Sequence, residues 1–168
     1  MSETNHVIVI GAGAAGMLAA IAAAREGAAV ELWEQNEKPG KKLFITGKGR
    51  CNVTNACDME ELLGSVVSNS KFLYSSFYGF TNQDMMDLLE QAGLRLKVER
   101  GNRVFPQSDK SSDVINALSA LLRQAGVRVC LNQKAEGLAV EEGVCKGVRC
   151  GGRIQTAKSE AKAVLGRQ

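Results

Sequence analysis

The chain has 168 residues, enough for one ordinary domain with its own core. Apolar residues make up 45% and charged residues 23%, the mix of a soluble globular protein. A net charge of +3, from 21 basic and 18 acidic side chains, is too balanced to point to nucleic acid or membrane lipid as a partner, and the longest apolar stretch, Met17 to Ala24, is too short to span a bilayer.

The first residues, MSETNH, carry an acid and no basic run, which reads as no secretory signal. Residues 7–10, VIVI, are continuously apolar, as in a parallel-sheet strand covered on both faces. The turn GAGAAG follows at once, and MLAAIAAARE then reads as a helix of good helix formers with Gly27 at its C-cap. AVELW (29–33) gives a second strand that ends beside Glu34, completing one βαβ unit.

Residues 36–57 are rich in Gly, Lys, Asn and Thr and show neither a helical nor a strand period. A loop of that length inside a compact domain is expected to be functional. Short helices are predicted around 59–67 and 69–78. Thr81 and Asp84 predict a capping box for a helix from Asn82 to Ala92, ended by Gly93. LRLKV (94–98) alternates like a half-buried strand, Gly101-Asn102 turns the chain, and Val104-Phe105 returns it. Ser112 or Asp113 caps a helix running to Gln124, with apolar positions Val114, Ile115, Leu118, Leu121, Leu122 and Ala125, and Gly126 stops it. VRVCL (127–131) reads as a strand, and three strand-like runs from Leu138 to Thr156 read as a small antiparallel meander.

The strongest motif is VIVIGAGAAG followed by a helix, a second strand and an acid. Gly11 permits the tight turn, Gly13 leaves room for a pyrophosphate to approach the backbone, and Gly16 lets the helix pack closely on the strand. The N–H groups around Ala14, Ala15 and Gly16 point toward the phosphates, and the helix dipole adds a positive field. Glu34 lies 18 residues after Gly16, near the spacing of a ribose-binding carboxylate. An acid there accepts from both ribose hydroxyls and repels a 2′-phosphate, so FAD or NAD is expected and NADP is not. A glycine-rich turn that only packs a helix onto a sheet would explain Gly11 and Gly16, but not Gly13 and Glu34 together.

The loop favours FAD over NAD. Its cations, Lys41, Lys42, Lys48 and Arg50, sit among Gly40, Gly47 and Gly49, where backbone N–H groups can turn toward a ligand and positive charge offsets phosphate. Lys38, Lys41 and Lys48 individually read as solvated; Arg50 and Asn52, inside TGKGRCNVTN, read as functional. Of the five cysteines, Cys51 and Cys57 invite a redox reading, but five residues intervene, one more than in the paired cysteines of disulfide-reductase flavoproteins. A buried or semi-buried thiol is the expectation there. Cys130 reads as core, Cys145 and Cys150 as surface or hairpin residues, all reduced in a cytoplasmic protein. Trp33 and the Phe/Tyr group at 72–80 read as packing, and His6 carries no assigned role.

VIVIGAGAAGMLAA, NEKPGKKLFITGKGRCNVTN and RVFPQSDKSSDVINAL together resemble the BaiN-type family of NAD(P)/FAD-dependent oxidoreductases, often labelled aminoacetone-oxidase-like, from about residue 6 to about residue 149. The resemblance implies an α/β, Rossmann-like FAD-binding domain with a parallel sheet, FAD held non-covalently, NAD(P)H as an electron donor and a small-molecule substrate. Carried over by motif, Gly11, Gly13, Ala15, Gly16 and Glu34 would contact the pyrophosphate and ribose. Lys42, Thr46, Gly47, Arg50, Cys51 and Asn52 would line the flavin side, and the backbone of Ala135 would meet the adenine. Family members look more than twice this long. KAVLGRQ starts like their next strand and then stops, so residues 1–168 are expected to be the N-terminal, FAD-binding part, without the substrate domain and with the outer edge of VIVI open. A non-catalytic nucleotide-binding fragment and an NAD-binding dehydrogenase domain are the alternative readings. No acid–base pair stands out, so no catalytic residue is assigned.

Overall fold

A computed structural model of the chain describes residues 5–155 and, as backbone, 162–165. The expectations that touch MSET, Thr156 and the last three residues of KAVLGRQ lie outside the described residues. The chain divides into two compact units. One comprises the residues through Leu43 and those from Leu118 onward; the other is Phe44–Ala117.

The first unit is a Rossmann fold. Strand β1 (His6–Ile10), helix α1 (Ala14–Arg25) and strand β2 (Ala29–Trp33) follow one another as VIVI, the glycine turn and AVELW predict. β1 and β2 pair in parallel from His6↔Ala29 to Ile10↔Trp33. Helix α1 presents Gly16, Met17, Ala20 and Ile21 to the interior, spaced one turn apart. It stops at Gly27, whose φ of 86° permits the left-handed turn; Gly27 N–H donates to Ala24 O and Ala28 N–H to Ala23 O, closing the helix end.

Two short segments complete the sheet in the order β10-β1-β2-β6: β6 (Arg128–Cys130) on β2, and β10 (Lys162–Leu165) on β1, both parallel. The expectation of an open edge on VIVI is therefore corrected. KAVL pairs with β1 through Val7↔Lys162 to Ile10↔Leu165, because four apolar-rich residues already suffice to form that ladder. The predicted meander is present as β7 (Gly137–Glu141), β8 (Val144–Cys150) and β9 (Arg153–Gln155), antiparallel throughout. Val148 of this meander packs with Ile8, Ile10 and Trp33, and Cys130, Ala135 and Cys150 border the same cluster.

The second unit begins inside the segment without a period, and here the long-loop expectation is only partly met. Helix α2 (Lys41–Ile45), a 3₁₀ turn (Thr46–Gly49) and a two-residue strand β3 (Thr54–Asn55) lie within it. These elements are too short for any hydrophobic period, and β3 exists because it pairs with β5 (Arg103–Pro106). Strand β4 (Leu96–Glu99) flanks β5 on the other side in antiparallel register. Helices α3 (Met59–Gly64), α4 (Ser70–Gly79) and α5 (Asn82–Gln91) match the predicted segments. The capping box is made as read: Asp84 N–H donates to Thr81 Oγ1, and Thr81 N–H donates to the Asp84 carboxylate. Helix α6 (Ser111–Gln124) buries Val114, Leu118, Leu121 and Leu122, as its apolar spacing requires.

Two packing expectations divide. Trp33 is buried at 2% exposure, but Phe72, Tyr74, Tyr78 and Phe80 are exposed, and α4 buries no residue among those described. Tyr74 and Tyr78 stack on each other, one turn apart, instead of entering a core. Among the described residues no helix is long and apolar enough to cross a membrane.

Candidate functional site

The turn between β1 and α1 is braced by main-chain bonds. Gly11 N–H donates to Trp33 O at 2.7 Å, and Gly40 N–H donates to Ala12 O at 2.8 Å. Gly11 has φ 94°, a conformation a side chain resists. At Gly16 the constraint is steric: a Cβ would lie 1.8 Å from the Gly11 carbonyl oxygen. Gly13 differs from both. Its backbone is extended, φ −79° and ψ −175°, and a Cβ there would have nothing within 4 Å. Gly11 and Gly16 serve the fold, whereas Gly13 borders open space. No side chain caps α1, Ala14 and Ala15 are exposed, and the first-turn N–H groups have no acceptor within the helix. That helix tip carries a partial positive charge and a set of outward donors suited to a diphosphate.

Glu34 stands at the end of β2, 7% exposed. Its Oε2 accepts from Ala12 N–H at 2.8 Å; its Oε1 accepts from Asn36 N–H at 2.9 Å and Asn36 Nδ2 at 2.6 Å. A carboxylate offers about four acceptor positions, so one remains. This refines the expectation that Glu34 takes both ribose hydroxyls: with these three donors in place it has capacity for one. The same strand end carries the predicted adenine segment. Glu34 N–H donates to Cys130 O, Gln133 N–H to Glu34 O and Asn132 N–H to Asn36 O, so the backbone leading to Ala135 runs alongside Glu34. Glycine turn, helix tip, Glu34 and the Ala135 segment are thus assembled in one unit, and they fit a dinucleotide. Lys42 belongs to the same unit and is exposed.

The remaining predicted residues lie in the second unit. Thr46 and Gly47 are exposed; Gly47 and Lys48 have left-handed backbones, and so do Gly49 and Cys51. Cys51 N–H donates to Thr46 O at 3.1 Å, and its thiol, 1% exposed, is also bonded to the Thr46 side chain. Burial pushes the Cys51 thiol up from its ordinary value, the Thr46 bond acting in the opposite direction. The Asn52 amide lies 3.1 Å from both Thr54 O and Val104 O, and its NH2 turned toward them satisfies both. All five cysteines are free thiols.

Arg50 is engaged within its own unit. Its Nε donates to Asp109 Oδ1 at 2.7 Å, its Nη2 reaches both Asp109 and Glu99, and its guanidinium lies 4.1 Å from the centre of the Phe105 ring. Lys97 completes the cluster at 2.7 Å from Asp109 Oδ2 and 3.4 Å from Glu99 Oε1. Two carboxylates and an aromatic face therefore neutralise and fix Arg50. The Arg50 bond holds the Glu99 carboxyl below its ordinary 4.5, and bonds from Lys97 and then Arg50 hold Asp109 below its ordinary 3.8. A lowered carboxyl stabilises the fold above its ordinary value and loses that contribution as pH falls through the lowered one. The network is thus complete at neutral pH and dissolves in acid, and Arg50→Ala should move both titrations upward. Carbon-13 NMR of the two carboxyl carbons would read this; unmoved titrations would dissociate Arg50 from them.

Sequence reasoning missed Ala12, Asn36, Gly40, Glu99 and Asp109. Asn36 had a local signal, since it stands two residues after Glu34 and Asn at a turn commonly bonds its own neighbourhood. Glu99 and Asp109 had none: they stand 49 and 59 residues from Arg50. Among the described residues no three His, Cys, Asp or Glu side chains gather as a metal site.

The family model described as HI0933-like protein Rossmann domain matches residues 5–165. A 3-dehydro-bile acid delta(4,6)-reductase of Clostridium scindens is 37% identical over 138 residues, 80% of this chain and 32% of the relative. A ribosomal RNA dihydrouridine synthase of Escherichia coli is 30% identical over 140 residues, 83% of this chain and 34% of the relative. The chain spans about a third of the length of the curated relatives it matches. Among solved structures, an open conformation of a flavocytochrome c3 fumarate reductase has a TM-score of 0.64 at 26% identity, covering 98% of this chain and 33% of that one. A 3-ketosteroid delta1-dehydrogenase from Sterolibacterium denitrificans has a TM-score of 0.67 at 16% identity, 98% and 48% covered, a likeness of fold.

Proposed function

Because this chain belongs to the HI0933-like Rossmann-domain family, we propose that its first unit binds FAD through the turn after β1 and forms the cofactor-binding part of an oxidoreductase. One observation carries the reading: open space at Gly13, at an uncapped helix tip, with the buried carboxylate of Glu34 bonded to the same turn. The N–H groups of Ala14, Ala15 and Gly16 hold the pyrophosphate, and Glu34 accepts a ribose hydroxyl while its charge disfavours a 2′-phosphate. The backbone around Ala135 borders the adenine, and by motif Lys42, Thr46, Gly47, Arg50, Cys51 and Asn52 are the candidates for the flavin side. Bound FAD supplies hydride transfer between a donor, NAD(P)H or substrate, and an acceptor.

The names of the two curated relatives point to different substrates, a bile acid and ribosomal RNA. The reading assigns as substrate a compound with an activated carbon–carbon double bond. Five free thiols suit a reducing, cytoplasmic compartment.

Titration calorimetry with FAD and, separately, NAD decides between cofactors. Saturable FAD binding near one per chain, with a yellow complex, is the expected result. Binding of NAD with FAD ignored would replace the flavin reading by that of a dehydrogenase domain, and a colourless chain that takes up neither would leave only the fold.

A further inference from the structure

From Thr46 to Asn52 the backbone takes an unusual course. Gly47 (φ 56°), Lys48 (57°), Gly49 (84°) and Cys51 (61°) all occupy the left-handed region, and only Arg50 between them is right-handed. Two of the four are not glycine, and such residues keep that conformation only when their surroundings over-determine it. Local bonds contribute Arg50 N–H to Gly47 O at 3.2 Å and Cys51 N–H to Thr46 O at 3.1 Å. The side chain of Arg50 supplies the long-range restraint, tied to Glu99 on β4, to Asp109 beyond β5, and to the face of Phe105 on β5. Lys97 ties the two carboxylates together from β4. The segment RVFPQSDK, which no proposed ligand contact uses, thus supplies the ring and one carboxylate of this device.

We propose that Arg50, Glu99 and Asp109 act as a pin that positions the Thr46–Asn52 loop, with Arg50 acting through the loop and not as a phosphate-binding cation. The inference rests on the reading that this loop lines the flavin side. Its physical basis is economy of charge: a guanidinium shared by two carboxylates and stacked on a ring has little remaining attraction for an anion, but it fixes the backbone that carries it.

Cys51 reports the pin independently of any cofactor, because it is buried at the end of the left-handed run. Glu99→Gln is isosteric, and Asp109→Asn keeps a residue type that tolerates the positive φ of 58° at that position. In the double variant, alkylation of Cys51, mapped by mass spectrometry, should accelerate about tenfold, the scale of one lost charged anchor, while Cys57 reacts at its wild-type rate. Restoring the carboxylate at Glu99 alone should recover part of the protection. The dissociation constant of FAD should rise and the absorption bands of bound FAD should shift. If the double variant unfolds, seen as all five cysteines reacting together, single Glu99→Gln decides by the same criteria. An unchanged Cys51 rate overturns the pin whether or not FAD binds. Faster Cys51 labelling with unaltered FAD affinity and spectrum overturns the positioning claim. A wild-type chain that takes up no FAD removes the flavin reading instead, and the alkylation rates still judge the pin.

Discussion

Gly16→Ala is expected to destabilise the first unit by about 3 kcal/mol or more, the upper end of overpacking costs, and to remove cofactor binding with it. The added Cβ would sit 1.8 Å from the Gly11 carbonyl oxygen, and both partners of that clash are fixed. Gly11 is tied to Trp33 O, and Gly16 lies in the first turn of α1, whose Met17 is fully buried. Relief requires α1 to move away from β1, which would open the contacts of Met17, Ala20 and Ile21 at once. A loss of that size is a large share of the stability of an ordinary domain, roughly 5–15 kcal/mol. Urea unfolding measures it directly. Gly13→Ala supplies the contrast. Its φ and ψ suit alanine, and no atom stands within 4 Å of the new Cβ, so the fold should lose no more than about 1 kcal/mol at that helix cap. FAD affinity should nevertheless fall about tenfold or more, because the methyl group occupies the space where a pyrophosphate approaches. Equal FAD affinity in Gly13→Ala and wild type would show that no ligand enters there.

Glu34→Ala should weaken FAD binding by about 1.5–3 kcal/mol, the scale of a hydrogen bond to a charged group, and should also destabilise the apo protein by about 1–3 kcal/mol. The second effect arises because Glu34 does structural service before any ligand arrives. Ala12 is fully buried, and its N–H donates to Glu34 Oε2; alanine at position 34 leaves that N–H without its acceptor in a water-poor setting. The two Asn36 donors lose their partner as well, although Asn36 is only half-buried and can turn toward water. Glu34→Gln separates the two roles. Its carbonyl oxygen can still accept from Ala12, so part of the apo stability should return, while its amide removes the charge that faces the ribose and the acceptor of the two Asn36 donors. Calorimetry with FAD and urea unfolding of the apo chain give the two numbers. Unchanged FAD affinity in both variants would remove Glu34 from the site.

The division between what could be read and what could not follows the range of the interactions. β1, α1, β2 and the three glycines of the turn were legible because each announces itself within a few residues: an apolar run, a helix-forming run, a glycine at each special backbone position. The capping box at Thr81 and the glycine stops at Gly27, Gly93 and Gly126 were legible for the same reason, since their bonds span three to five residues. The spacing of Glu34 from the glycine turn was legible, but its three donors were not.

Arg50 marks the limit. Its motif singles it out as a candidate site residue, and the structure pairs its charge with two carboxylates. A cation in a glycine-rich loop reads as a phosphate partner only while its neighbours in space are unknown, and here they are carboxylates far along the chain. The aromatic run from Phe72 to Phe80 fails in the opposite sense: it reads as packing, but Phe72, Tyr74, Tyr78 and Phe80 are exposed and α4 buries no residue among those described. By itself the amino-acid sequence determined the βαβ unit and its turn, because backbone conformation and helix-end donors are set by local residues. Only the tertiary structure decided which charges remain available and which are cancelled, because electrostatic pairing depends on distance in space and is blind to separation along the chain.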